Sequence, residues 1–131
     1  MSRRTISSGG PWEDVYGYSR AMRVGDTIFV AGTTATNPDG TVHGEGDAAA
    51  QARRCFEIIE AGLREAGASL ADVVRTRIFV VDPADSDSVG RVHGKVFGAI
   101  RPAATMVAVA ALIDTRLLVE IEVDAVVRSG Q

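Results

Sequence analysis

Apolar residues recur along this chain with two different periods, and the switches between them divide it into strands and helices. The stretch through Ser8-Gly9-Gly10-Pro11 is punctuated by glycine and proline, which predicts an arm or loop with room for one short strand. Tyr18 to Val24 and Thr27 to Gly32 are strand-like runs separated by Gly25-Asp26, a two-residue spacing that suits a hairpin. Thr33 to Gly46, rich in Thr, Asn, Pro, Asp and Gly, predicts a long irregular loop, and loops of that length at a sheet end often carry function. Asp47 is a competent N-cap. After it Ala52, Cys55, Phe56, Ile59, Leu63 and Ala66 form one helical stripe that Gly67 ends. Ser69 to Asp72 reads as a turn, and Val73 to Val81 as a β-branched strand stopped by Asp82-Pro83. A second helix is predicted from Ser86 to Ile100, with Val89, Val92, Val96, Phe97 and Ile100 on its apolar side and acids at its start, where the helix dipole favours them. Strands over Thr105 to Ala111 and Leu117 to Val127 follow.

Two strands, helix, strand, helix, two strands is the order of an α+β fold: a mixed β-sheet with two helices packed on one face, here as a single domain over residues 1–131. Ile28-Phe29-Val30-Ala31, Ile78-Phe79-Val80-Val81 and Met106-Val107-Ala108-Val109-Ala110 are apolar at successive positions, so both faces of these strands are apolar. Two helices cover only one of them. A second subunit is the simplest cover for the other.

The final strand adds chemistry. Residues two apart share a face, so Glu120, Glu122 and Asp124 stand in one row opposite Val119, Ile121 and Val123. Like charges in a row are unfavourable, so the row faces solvent, pairs with arginines, or holds a carboxylate for chemistry.

Composition narrows the function classes. At 46% hydrophobic the 131 residues suffice for one real core. Fourteen Lys plus Arg against 17 Asp plus Glu leave a formal charge of −3, the wrong sign for a dedicated nucleic-acid binder. The single Cys55 excludes an intramolecular disulfide framework, and no charged-then-apolar leader follows Arg3 and Arg4, so a cytoplasmic location is expected. The longest apolar run, Met106 to Ile113, falls far short of the roughly 18 residues needed to span a bilayer. No His or Cys ligand pair with recognisable spacing accompanies the row of acids, so neither a metal nor another cofactor is expected.

Tyr18, Val24-Gly25-Asp26-Thr27-Ile28-Phe29-Val30-Ala31-Gly32, Asn37-Pro38, Gln51, Arg75-Thr76-Arg77-Ile78-Phe79-Val80, Arg101-Pro102-Ala103 and Val119-Glu120-Ile121-Glu122 together resemble the RidA family (YjgF, also called L-PSP) across nearly the whole chain. The resemblance implies a chorismate-mutase-like homotrimer with ligand clefts between subunits, which would cover the second apolar face. It also implies hydrolysis of enamines and imines, with an arginine clamping the substrate carboxylate and a glutamate positioning water. Glu120 matches the glutamate, and Tyr18, Gly32 and Met106 fall where family members line the cleft; Ala104 and Thr105 lie on the same segment as Met106. The arginine's own place is Ala104, and the cysteine two residues later is Met106. The family's serine before Gly32 is Ala31, and its frequent asparagine on the second helix is Gly90. Alanine offers no two-pronged grip on a carboxylate, which argues against ordinary 2-imino acid deamination and for an arginine-lacking branch.

Glu120 therefore carries two readings: it orients a water, or it pairs with Arg75, Arg77 or a neighbouring subunit's arginine. Tyr18 offers a hydroxyl to a ligand or packs at a strand start. His93 on the second helix relays a proton or fills space, and His43 sits in the long loop. Cys55, on the first helix's apolar face, reads as an inert thiol. Gly90, Gly94 and Gly98 form a bare helical stripe, explained by close approach of another backbone or by a widened cleft wall. The expected activity is a RidA-like hydrolase or deaminase acting on a small enamine- or imine-type metabolite at an intersubunit cleft, with Arg75, Arg77 or Arg101 as possible replacements for the clamp. The alternatives are a non-catalytic trimer that binds small metabolites or acts as an interaction scaffold, and a ribonuclease, which the acidic balance disfavours.

Overall fold

Which side chains the helices cover is decided by alternation along six strands. A computed structural model describes residues 2–127. Its strands are β1 (Arg3–Ile6), β2 (Ala21–Val24), β3 (Thr27–Thr33), β4 (Val73–Val80), β5 (Ala103–Ala108) and β6 (Val119–Val126). The helices are α1 (Pro11–Tyr16), α2 (Ala48–Glu65) and α3 (Ser86–Phe97), with short 3₁₀ turns at Leu70–Asp72 and Pro83–Asp85. One sheet of order β1-β2-β3-β6-β4-β5 results, antiparallel throughout except for the parallel β4–β5 pair, so the fold is the mixed α+β arrangement expected. No helix among the described residues is long and apolar enough to cross a membrane.

Ile28 and Val30 of β3, Ile78 and Val80 of β4, and Val119, Ile121 and Val123 of β6 point toward α2 and α3 and are buried with Phe56, Ile59, Leu63, Val89 and Phe97. Their alternate neighbours form the opposite, open face. Phe29 is 48% exposed there and Val107 43%, while Phe79 and Met22 are half-buried. The apolar second face read from the strands is real, and among the described residues none covers it.

Several boundaries differ from those expected, each for a local reason. α1 was not anticipated: it is barely more than one turn, with Trp12, Val15 and Tyr16 exposed, so it has no apolar stripe. Pro11 opens it, Gly17 closes it in the left-handed region with its N–H on the Glu13 carbonyl at 2.8 Å, and Trp12 stacks on Tyr16 at 5.4 Å. Tyr18 consequently lies in the connection after α1, and β2 starts only at Ala21. α3 ends at Phe97 rather than Ile100, because Arg101 precedes a proline and leaves the helical region with φ 60°. The N–H groups of Ile100 and Arg101 fold back onto the Phe97 carbonyl at 2.9 and 2.7 Å. β5 accordingly begins at Ala103, directly after Pro102.

Asp47 caps α2 as expected, accepting from the Ala50 N–H at 3.0 Å. One turn on, Gln51 is fully buried, and its amide crosses the molecule. Nε2 donates to the carbonyls of Gly44 (3.2 Å) and Arg116 (3.0 Å), and Oε1 accepts from the Leu118 N–H at 2.9 Å. Gln51 thus ties α2 to the segment that leads into β6.

Of the three glycines in the bare stripe only Gly98 would meet backbone, the Gly94 carbonyl oxygen at 2.8 Å, so no other element among the described residues brings its backbone against the stripe. A Cβ on Gly90 would touch only Met106 Cε at 3.9 Å, and one on Gly94 would meet nothing within 4 Å. Gly94→Ala is therefore expected to raise stability by about 1 kcal/mol, the helix-propensity difference, seen as a higher urea midpoint with an unchanged slope.

Candidate functional site

The row of acids on β6 is sorted by what β4 places opposite it. Arg77 faces Glu122 and reaches it at 3.2 Å, with Asp124 at 3.4 Å; Arg75 lies opposite Asp124 at 3.9 Å. These are half-exposed pairs that contribute little stability, but they neutralise two of the three acids. Glu120 faces Phe79, so no cation answers it from the neighbouring strand. Its half-buried carboxylate accepts no hydrogen bond and forms no ion pair with any described residue.

Its surroundings are set by an irregularity in β3, whose pairing with β6 shifts register between Val30 and Thr33. Gly32 sits inside this bulge. A Cβ added there would lie 2.1 Å from Glu120 Oε2, so the carboxylate occupies the space any other residue would fill. On the other side of the bulge Arg20 Nη2 donates to the Gly32 carbonyl at 2.6 Å, and Thr33, buried, receives the Cys55 thiol on its carbonyl at 3.2 Å.

Burial pushes the Glu120 carboxyl above the ordinary glutamate value; the Arg20 guanidinium pulls it down, and Glu122 pushes it further up. Cys55 is pushed up to about 12 by burial and by the Glu120 charge, against the opposing pull of Arg20. The thiol is thus inert, as its place on the apolar face of α2 implied.

Glu13 anchors the arm beside this cluster. It is buried, which opposes its ionisation, yet donors from Ser8 Oγ (2.5 Å), Ser7 Oγ (2.9 Å) and the Ser8 N–H (3.2 Å) hold its carboxyl below the usual value. Between this arm and the open face lies a concavity of about 830 Å³, whose lining includes Glu13, Tyr18, Phe29, Ala31, Glu122 and Asp124. Glu120 is not among its lining residues; it sits beyond the rim, at the bulge.

The residues singled out from the sequence fall into two groups. Tyr18, Ala31, Gly32, Thr105 and Glu120 belong to the open face or its margin: Thr105 lies opposite Arg77, and Ala31 and Tyr18 line the concavity. Gly90, His93, Ala104 and Met106 lie on the helix side, where Ala104 pairs with buried Thr76 and Met106 with Ile78. There His93 Nε2 is hydrogen-bonded to Thr76 Oγ1 at 2.9 Å and packed against Phe56 and Phe97 at 6.1 and 4.8 Å. Burial lowers its pKa, so the ring is neutral at physiological pH. Within one protomer the sheet separates the groups, and they approach each other only around the edge strand β5.

None of the three arginines considered as replacement clamps stands beside Glu120: Arg75 and Arg77 are engaged by acids, and Arg101 is exposed at the turn before β5. His43 is exposed in the long loop. The cation that does lie near Glu120, Arg20, was missed, as was Glu13. An arginine preceding a short strand and a glutamate after a serine pair carry no periodic signal of burial. Among the described residues no group of three or more His, Cys, Asp or Glu side chains is placed to hold a metal ion.

Comparison with known proteins places this geometry. The sequence profile of the family described as Endoribonuclease L-PSP matches residues 13–127. The crystal structure of Rv2704 from Mycobacterium tuberculosis, of the YjgF/YER057c/UK114 family, is 51% identical with a TM-score of 0.87, covering 96% of this chain and all of that one. The uncharacterised protein SCO2049 of Streptomyces coelicolor is 40% identical over 122 residues, 93% of this chain and 90% of that protein. The 3-aminoacrylate deaminase RutC of Acinetobacter baylyi is 36% identical over 121 residues, 92% of this chain and 95% of its own.

Proposed function

Because this chain belongs to the YjgF/RidA (L-PSP) family, we propose that it hydrolyses a small enamine- or imine-type metabolite in a cleft between subunits of a homotrimer, with Glu120 holding the attacking water. One observation carries the reading: of the three acids on β6, Glu120 alone has no hydrogen bond or ion pair from a described residue, and it sits half-buried against a bare glycine. A carboxylate in that setting costs stability, and a role for it is to accept hydrogen bonds from a water or a substrate N–H. In the proposed step the water oxygen adds to the C=N carbon while Glu120 takes one of its protons. That proton passes to the nitrogen, and as the C–N bond breaks Glu120 takes the remaining hydroxyl proton and hands it to the departing nitrogen, leaving a carbonyl compound and ammonia; an enamine enters as its imine tautomer. The naming of an Acinetobacter baylyi relative as a 3-aminoacrylate deaminase supports the enamine class.

Three copies closing their open faces together would cover Phe29 and Val107. They would also bring the Gly90, His93, Ala104 and Met106 group of one subunit toward the Tyr18, Ala31, Gly32, Thr105 and Glu120 group of the next. Ala104, which cannot clamp a carboxylate, restricts the substrate to one recognised through other contacts, and it also favours the rival reading of a trimer that binds metabolites without turning them over.

Ammonia release and carbonyl formation from a panel of imines and enamines, with and without a carboxylate, separates the readings. Turnover of a carboxylate-free member above the rate in buffer is the expected result. A panel left untouched, together with tight calorimetric binding of a metabolite, would overturn hydrolysis in favour of the binder.

A further inference from the structure

Among the described residues Arg20 is the one arginine acting on Glu120, and its position is costly. Its aliphatic stem is packed beside α2, where the buried Gly62 leaves it room: a Cβ on Gly62 would meet Arg20 Cγ at 3.9 Å. One guanidinium nitrogen is spent on the Gly32 carbonyl at 2.6 Å, and Nε is buried with no hydrogen-bond partner among the described residues. Unlike Arg75 and Arg77, Arg20 has no carboxylate within ion-pair distance among the described residues. A buried donor left unpaired costs free energy, so a structural role alone would be served better by a smaller or apolar side chain.

What the position offers is a link to the carboxylate. The carbonyl Arg20 grips belongs to the residue whose bare α-carbon lies against Glu120, in the one stretch of β3 that departs from regular pairing. We propose that Arg20 is the positioning residue of this site: it holds the Gly32 carbonyl so that the bulge stays open for Glu120, and it sets a fixed positive charge behind that carboxylate. The role rests on the hydrolase reading only in calling the site catalytic; the coupling between the two side chains stands on the geometry. The charged groups acting on Glu120 are Arg20 from the segment before β2 and Glu122 from β6, of which only Arg20 favours the ionised form; Arg20 itself feels Tyr18, Glu13, Glu120 and Cys55.

Coupling of this kind is reciprocal, so it is read from either side. In uniformly labelled wild-type protein, the pH-dependent movement of the Arg20 Nε–H nitrogen signal is expected to include a component at the midpoint of the Glu120 side-chain carboxyl carbon, beside the one that follows Glu13, and Glu120→Gln is expected to abolish that component and leave the other. In Arg20→Gln, which keeps a donor but no charge, the Glu120 midpoint is expected to shift upward; in Arg20→Lys it stays nearer the wild-type value. An Arg20 signal lacking the Glu120 component in the wild type, or an unmoved Glu120 midpoint in a folded Arg20→Gln, overturns the proposal. Protein inactive on every imine and enamine, but with the two titrations locked together, would overturn the hydrolase reading and leave this inference standing.

Discussion

Under the proposed hydrolysis, Glu120→Gln is expected to lower turnover by about 10²- to 10⁴-fold, the usual contribution of a general base, while making the protein more stable at neutral pH. The two effects share one cause. Burial raises the Glu120 carboxyl above its ordinary value of 4.5, so the folded state holds this proton more tightly than the unfolded chain. The stability tied to that proton is present below the unfolded value and lost as pH rises through the raised folded value. Above that window the wild type carries a half-buried charge that Gln does not. Denaturation should therefore favour Gln at pH 7 and show no difference well below pH 4. Gly32→Ala should reach the same loss of activity by another route, since its Cβ would lie 2.1 Å from the carboxylate oxygen and must expel it. Full activity in either variant, measured as ammonia released per protomer, would remove Glu120 from the mechanism.

Gln51→Leu is expected to cost about 2 to 5 kcal/mol of folding stability, although leucine nearly matches its volume and leaves little cavity. The loss comes from the partners. The Gly44 and Arg116 carbonyls and the Leu118 N–H would each lose a hydrogen bond to a fully buried side chain, and among the described residues only the Gly44 carbonyl keeps a second donor, the Asp47 N–H at 2.9 Å. Such a loss is a large fraction of the roughly 5 to 15 kcal/mol that holds a domain of this size together. It should appear as a lower urea midpoint with the slope unchanged. The damage is not confined to stability, because Leu118 precedes Glu120 by two residues and its anchored N–H sets the entry of β6. A variant as stable as the wild type would show that water replaces the amide.

Much of the fold was legible because its signals are periodic. The stripes of α2 and α3 and the alternation of β3, β4 and β6 recur over several turns or residues, and those elements stand within a few residues of their expected bounds. α1 was illegible because a single turn held by Pro11 and Gly17 needs no buried stripe. Along β6 the sequence marked three acids in a row, but only the register of β4 separates Glu120, opposite Phe79, from Glu122 and Asp124, opposite arginines. The roles of Arg20 and Gln51 were beyond reach for a related reason, although Gln51 itself belongs to the family pattern: their partners are backbone atoms at Gly32, Gly44, Arg116 and Leu118, and a backbone carbonyl or N–H has no letter.

The extra residue between Val30 and Thr33 puts the outer end of β3 out of phase with its inner end. Shortening the chain there by one would swing Thr33 away from α2, strand the Cys55 thiol and turn the strand's inside out. Four residues later no such arithmetic applies. The exposed hairpin at Asn37–Thr41, closed by its own bonds from Asn37 N–H to the Thr41 carbonyl at 2.7 Å and from Gly40 N–H to the Asn37 carbonyl at 2.9 Å, can lengthen or shrink without disturbing any neighbour's phase. Insertions and deletions that evolution tolerates in this lineage should therefore gather at that tip and avoid the four positions from Val30 to Thr33, however similar the two stretches look as text.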